Sequence, residues 1–118
     1  MTSRNVAATF DRLVQLPGVI GAILVDGNGV LVRTNIAEDA AQMYANRMRP
    51  LVVLARSMIH DIEPDDRLSY VRLRTRRQEL MVATENQHTI ILIQDNQALD
   101  ESRRNTAASR RVSRQQGS

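Results

Sequence analysis

Residues 51–94, LVVLARSMIHDIEPDDRLSYVRLRTRRQELMVATENQHTIILIQ, decide the fold of this chain. They read as the end of an amphipathic helix, a short acidic turn and three strand-like runs at 68–75, 78–84 and 88–94. In the first run Val71 and Leu73 alternate with Tyr70, Arg72 and Arg74, so one face is apolar and the other wet. In the second, Leu80 and Val82 alternate with Met81 and Ala83. The third, TIILIQ, is apolar on both faces and belongs at the centre of a sheet. Arg76-Arg77 and residues 85–87 are connections short enough for antiparallel hairpins.

Upstream of the acidic turn, Met43, Tyr44, Met48, Leu51, Val52, Leu54, Ala55, Met58 and Ile59 follow helical spacing from about 38 to 59. Their stripe is wider than burial on one small sheet requires. Pro50 interrupts it, removing the hydrogen bond to the Asn46 carbonyl at a cost of roughly 3 kcal/mol. The expectation is one helix kinked near 46–50, with two shorter helices as the alternative. Before it, VIGAILVD and GVLVRTN flank Asp26-Gly27-Asn28-Gly29, a hairpin signal because glycine and asparagine accept positive φ. Residues 3–16 place Val6, Phe10, Leu13 and Val14 on one helical face, with Ser3 as N-cap and Pro17-Gly18 as the stop. The layout is α-β-β-α-β-β-β, an α+β fold: a five-stranded antiparallel sheet flanked by helices.

At 118 residues the chain has room for one domain with a limited core. It has no apolar run near the ~20 residues of a membrane span, and no secretory signal is expected in MTSRNVAATF. Cysteine is absent, which removes disulfides, thiolate zinc sites and cysteine nucleophiles and fits a reducing compartment. All 16 basic residues are arginine. Residues 1–102 hold 11 Arg against 13 acids, whereas 103–118 hold 5 Arg and no acid, so the basic pI belongs to a tail. The domain is therefore expected over 1–98, and 99–118 as an arginine-rich tail too poor in apolar residues to order by itself.

Catalysis finds little support. His60 lies at a helix end beside Asp61, and His88 precedes a strand with no acidic or serine neighbour. No paired ligand spacing suggests a metal, and no glycine-rich run with lysine suggests a phosphate loop, so neither enzyme activity nor a cofactor is expected. The DGNG opening lacks the later ligands of a calcium loop. Asp61, Glu63, Asp65 and Asp66 read as a solvated acidic loop. Arg72, Arg74, Arg76 and Arg77 with Tyr70 fit either gatekeeper charges on an edge strand or a docking surface for an acidic or backbone partner. In the tail, Thr106 and Ser113 each follow two arginines at the spacing basophilic kinases favour. Phosphate at both would subtract roughly three to four charges and cancel most of the positive charge of residues 103–118. The competing reading is an anchor for RNA, acidic surfaces or anionic membrane. With three aromatics (Phe10, Tyr44 and Tyr70), no specific nucleic-acid platform is expected.

Several segments, in their order and spacing, resemble the Roadblock/LC7 family of dynein light chains from about residue 6 to 97. They are Gly18-Val19-Ile20-Gly21, Gln42-Met43-Tyr44-Ala45, Ala55-Arg56-Ser57, Asp61-Ile62-Glu63-Pro64, Leu73-Arg74-Thr75 and Glu79-Leu80-Met81-Val82-Ala83. The resemblance implies a homodimer built from the second helix and the third strand. Met48, Leu51, Val52 and Ala55 would pack on the other protomer, and Tyr70, Arg72 and Arg74 would mark the strand that pairs with its copy. It also implies a non-enzymatic role in a dynein motor: attachment to the dynein intermediate chain, cytoplasmic and cytoskeletal placement, and microtubule-based transport. Small GTPases and cargo adaptors are further partners, and GTPase scaffolding or tail-mediated RNA or anionic-surface binding are the alternative functions. Two departures stand out: Pro50 falls in the helix expected at the interface, and the arginine-rich tail extends past the usual family end.

Overall fold

The computed structural model describes residues 2–97 and 104–106. Its elements are α1 (Thr2–Val14), β1 (Val19–Val25), β2 (Leu31–Thr34), α2 (Glu38–Ile62), β3 (Tyr70–Arg74), β4 (Gln78–Glu85) and β5 (His88–Asp95). The strands form one antiparallel sheet in the order β2-β1-β5-β4-β3. The continuous apolar run takes the central place, with Ile90 to Gln94 buried in β5.

Each face of the sheet carries one helix, and the alternation of side chains decides which. Ala22, Leu24, Ile90 and Leu92 point to the face where Val6 and Phe10 of α1 pack. Ile23, Val25, Leu80, Val82, Ile91 and Ile93 point the other way, onto Ala41, Ala45 and Val52 of α2. The fully buried alanines let the helix axis lie close to the strands. Gly21 is tightly enclosed on this side: a Cβ there would sit 3.0 Å from Ile36 Cγ2 and 3.1 Å from Ile93 Cδ1, so both side chains would have to give way.

Pro50 does not divide the helix. α2 runs unbroken over 25 residues, ending at Ile62 rather than near 59, so the two-helix alternative does not occur. Pro50 lies on the exposed side, where water can satisfy the Asn46 carbonyl that loses its donor. The tail expectation for 99–118 falls mostly outside the described residues; residues 104–106 are helical and exposed.

Two of the three hairpin turns use positive φ in different ways. In the first, only Gly29 takes positive φ (84°), and the Arg49 side chain occupies the space where a Cβ would stand. Asp26 organises that turn: its Oδ1 accepts the N–H groups of Asn28 and Val30, both at 2.9 Å. The β4–β5 turn instead places Asn86 (φ 50°) and Gln87 (φ 67°) in the left-handed region, a two-residue primed turn without glycine.

The Val30 hydrogen bond is the largest influence and, with the Asn28 bond and the charges of His88 and Arg49, outweighs desolvation to hold the Asp26 carboxyl below its ordinary value. A depressed folded pKa stabilises the fold above the unfolded value, and that contribution is lost as pH falls through the folded one. Asp26→Asn should therefore melt lower than the parent at pH 7, with the gap closing as pH drops toward 3. Thermal melts across this range check it, and a pH-independent gap would contradict the assignment.

Candidate functional site

Contacts on its two flanks fix how α2 is rotated over the sheet. On one flank Tyr44 Oη accepts a hydrogen bond from Gln78 Nε2 at 3.2 Å, beside the start of β4. On the other flank Arg49 reaches the carbonyls of Gly27 and Asn28 in the β1–β2 turn, both at 3.4 Å. At 100° per residue, the 41-45-48-52 row then faces the sheet and the 51-55-58-62 row faces the β3 side. The 43-50-54 row points away from the sheet.

Exposure follows that rotation. Val52 is 4% exposed and belongs to its own protomer's core, with Met48 packed against the same cluster. Val52 was expected to touch a second protomer; its place on the alanine row turns it inward instead. Leu51 and Ala55 are half-buried on the β3 flank. Beyond them Leu54, Met58 and Ile62 are 59%, 53% and 76% exposed, with Met43 and Val53 also open. Large apolar side chains grouped on one helix of a small domain are the pattern that marks association surfaces. Spacing by four (54, 58, 62) was the signal in the sequence, but it could not say which half of a wide stripe its own sheet would cover.

On that side the sheet ends at β3, which among the described residues pairs with β4 only. An edge strand with unpaired backbone groups is a template for another strand. Its side chains divide between the two faces: Leu73 packs on the α2 cluster, while Tyr70, Arg72 and Arg74 are exposed on the opposite face. There Arg72 Cζ stands 5.5 Å from the Tyr70 ring centroid. Its Nε lies 3.5 Å from Glu79 Oε1, and Nη2 is 3.8 Å from Met81 Sδ. Thus the expected site separates: Leu51 and Ala55 border the exposed helix flank, Met48 and Val52 support it from below, and the Tyr70, Arg72 and Arg74 side chains face elsewhere.

The remaining candidates do not converge. His60 is exposed at the end of α2, and His88 Nδ1 lies 3.0 Å from the Asn86 carbonyl. Among the described residues, no group of three or more His, Asp or Glu could hold a metal ion. An open depression lined by Arg56, His60, Asp66, Arg67 and Glu85 mixes both charge signs. Thr106 is exposed, whereas Ser113 lies outside the described residues. No helix among the described residues is long and apolar enough to cross a membrane.

Comparison with known proteins gives a consistent frame. The sequence model of the Roadblock/LC7 domain matches residues 6–95. A Roadblock/LC7 domain from Streptomyces avermitilis superposes with a TM-score of 0.65 at 19% identity, covering 73% of this chain and 74% of that one. MglB from Myxococcus xanthus gives 0.62 at 18% identity, covering 80% of this chain and 78% of its own. An MglB structure with a tetrameric arrangement gives 0.61 at 16% identity, over 80% and 74% of the two chains. At these identities the likeness is one of fold.

Proposed function

The chain belongs to the Roadblock/LC7 family, and from that premise we propose that it is a non-catalytic light chain of a dynein motor. It works as a homodimer that binds the dynein intermediate chain in the cytoplasm and supports microtubule-based transport. The observation that carries this reading is the pair of unsatisfied features on one side of the fold: Met58 and Ile62 exposed on the β3-side row of α2, continued outward by Leu54, and the open margin of β3 at that end of the sheet. A two-fold axis beside β3 would pair that strand with its copy and bring the two helix flanks together on one face. Each Leu or Met side chain fully buried that way contributes about 1.5–3 kcal/mol. The tetrameric arrangement reported for one MglB is consistent with self-association of this fold.

The dynein assignment itself draws on the residues that carry the family resemblance: Ala55-Arg56-Ser57 with Asp61–Pro64, and Leu73-Arg74-Thr75 with Glu79–Ala83. They fall on the C-terminal half of α2, its exit, and β3–β4, the elements that border the proposed interface. Titrating an intermediate-chain fragment into the full chain by calorimetry tests this. Saturable binding by the dimer is expected. Failure to bind the fragment, alongside binding of a GTP-loaded small GTPase, would replace the motor reading with a GTPase scaffold.

A further inference from the structure

The arginines of β3 and its following turn sit away from the apolar flank, on a backbone pinned by several hydrogen bonds. Arg72, Arg74, Arg76 and Arg77 are all exposed within six residues, four of the 11 arginines in residues 1–102. Arg72 is held flat by three neighbours: the Tyr70 ring, the Met81 sulfur and the buried Glu79 carboxylate. The turn is held from the far end of β5. Asn96, 6% exposed, donates Nδ2 to the Thr75 carbonyl at 2.6 Å and its backbone N–H to the Arg77 carbonyl at 3.2 Å. Those two bonds bracket Arg76 and Arg77. Thr75 adds a further clasp, its Oγ1 donating to the Gln78 carbonyl at 3.1 Å and its N–H to the same carbonyl at 2.8 Å.

A side chain or turn already held in its binding geometry loses less freedom on meeting a ligand. Guanidinium forks match carboxylates with two parallel hydrogen bonds, and Arg rather than Lys gives that planarity. We propose that this strip, Arg72-Arg74-Arg76-Arg77, is a docking surface for an acidic peptide segment of a partner protein. Charge complementarity selects the occupant. The acids of the fold lie mainly elsewhere, in Glu38-Asp39 and the 61–66 turn, while Glu79 on this strip is buried against Arg72. A nucleic acid fits less well, because Tyr70 is the one aromatic on this strip: Phe10 of α1 is buried against the other half of that face and Tyr44 belongs to α2. The strip is complete within one protomer and does not rest on the motor assignment, while the proposed pairing of β3 with its copy would set two such strips side by side across the two-fold axis.

The test is fluorescence anisotropy with the full chain and a labelled 12-residue peptide alternating Glu and Ser, beside a single-stranded oligouridine of equal charge. Arg76→Ala/Arg77→Ala removes two guanidiniums without touching the Arg72–Glu79 pair. A tail variant with Arg103, Arg104, Arg110, Arg111 and Arg114 changed to Ala reports the contribution of the second basic segment. The turn variant is expected to weaken peptide binding about tenfold, and the tail variant to retain most of it. A loss under roughly threefold in the turn variant, affinity that resides in the tail, or turn-dependent binding that favours oligouridine over the peptide overturns the proposal.

Discussion

Val52→Asp is expected to abolish folding. Val52 is 4% exposed and shares its cluster with Ala41, Ala45, Ile23, Val25, Leu80, Val82, Ile91 and Ile93, none of which can hydrogen-bond a side-chain carboxylate. A buried carboxylate without a partner either stays charged in a poor solvent or takes up a proton, and both routes are costly. The penalty belongs with the largest single-residue effects, more than about 4 kcal/mol. A small domain has about 5–15 kcal/mol of total stability, so most of the margin is consumed. Soluble yield, far-ultraviolet circular dichroism and thermal melting read the outcome. A mutant that melts within a few degrees of the parent would mean that α2 is rotated differently from the arrangement described.

Met58→Asp is expected to act on association instead, leaving a folded monomer. Met58 is 53% exposed on the β3 flank, so a carboxylate there stays hydrated in the single chain and costs the fold within about 0.5 kcal/mol. In a two-fold interface every substitution enters twice. Two like charges would then be desolvated on the apolar helix flanks, at a cost of a few kcal/mol. The proposed dimer is expected to weaken about a hundredfold or more, with the fold of each chain unchanged. Sedimentation velocity over a concentration series measures it, with circular dichroism confirming that the monomer keeps its secondary structure. Unchanged dimerisation by a folded Met58→Asp would remove this flank from the interface. The two substitutions lie only six positions apart on one helix, yet the expected outcomes differ in kind.

That contrast also shows how far the chain was legible before its structure. The alternation of Val71 and Leu73 with Tyr70, Arg72 and Arg74 placed one strand correctly on the sheet, including which side chains meet water. The TIILIQ run found its central position for the reason given by its two apolar faces. Helical spacing located α2, although its stripe left several rotations possible. Leu51 and Ala55 border the exposed flank, whereas Val52 is enclosed and Met48 leans on the core. The role of Asn96 had no local signal, because its partners Thr75 and Arg77 lie about twenty positions away and only strand pairing brings them close.

Sequence alone determined the element order, the alternation within each strand and the family, because these depend on local periodicity and on residues close along the chain. Only the tertiary structure decided which arc of α2 its own sheet covers. That choice is made by contacts between distant residues: Tyr44 with Gln78 on one flank, Arg49 with the first turn on the other, and alanines that let the helix settle between them.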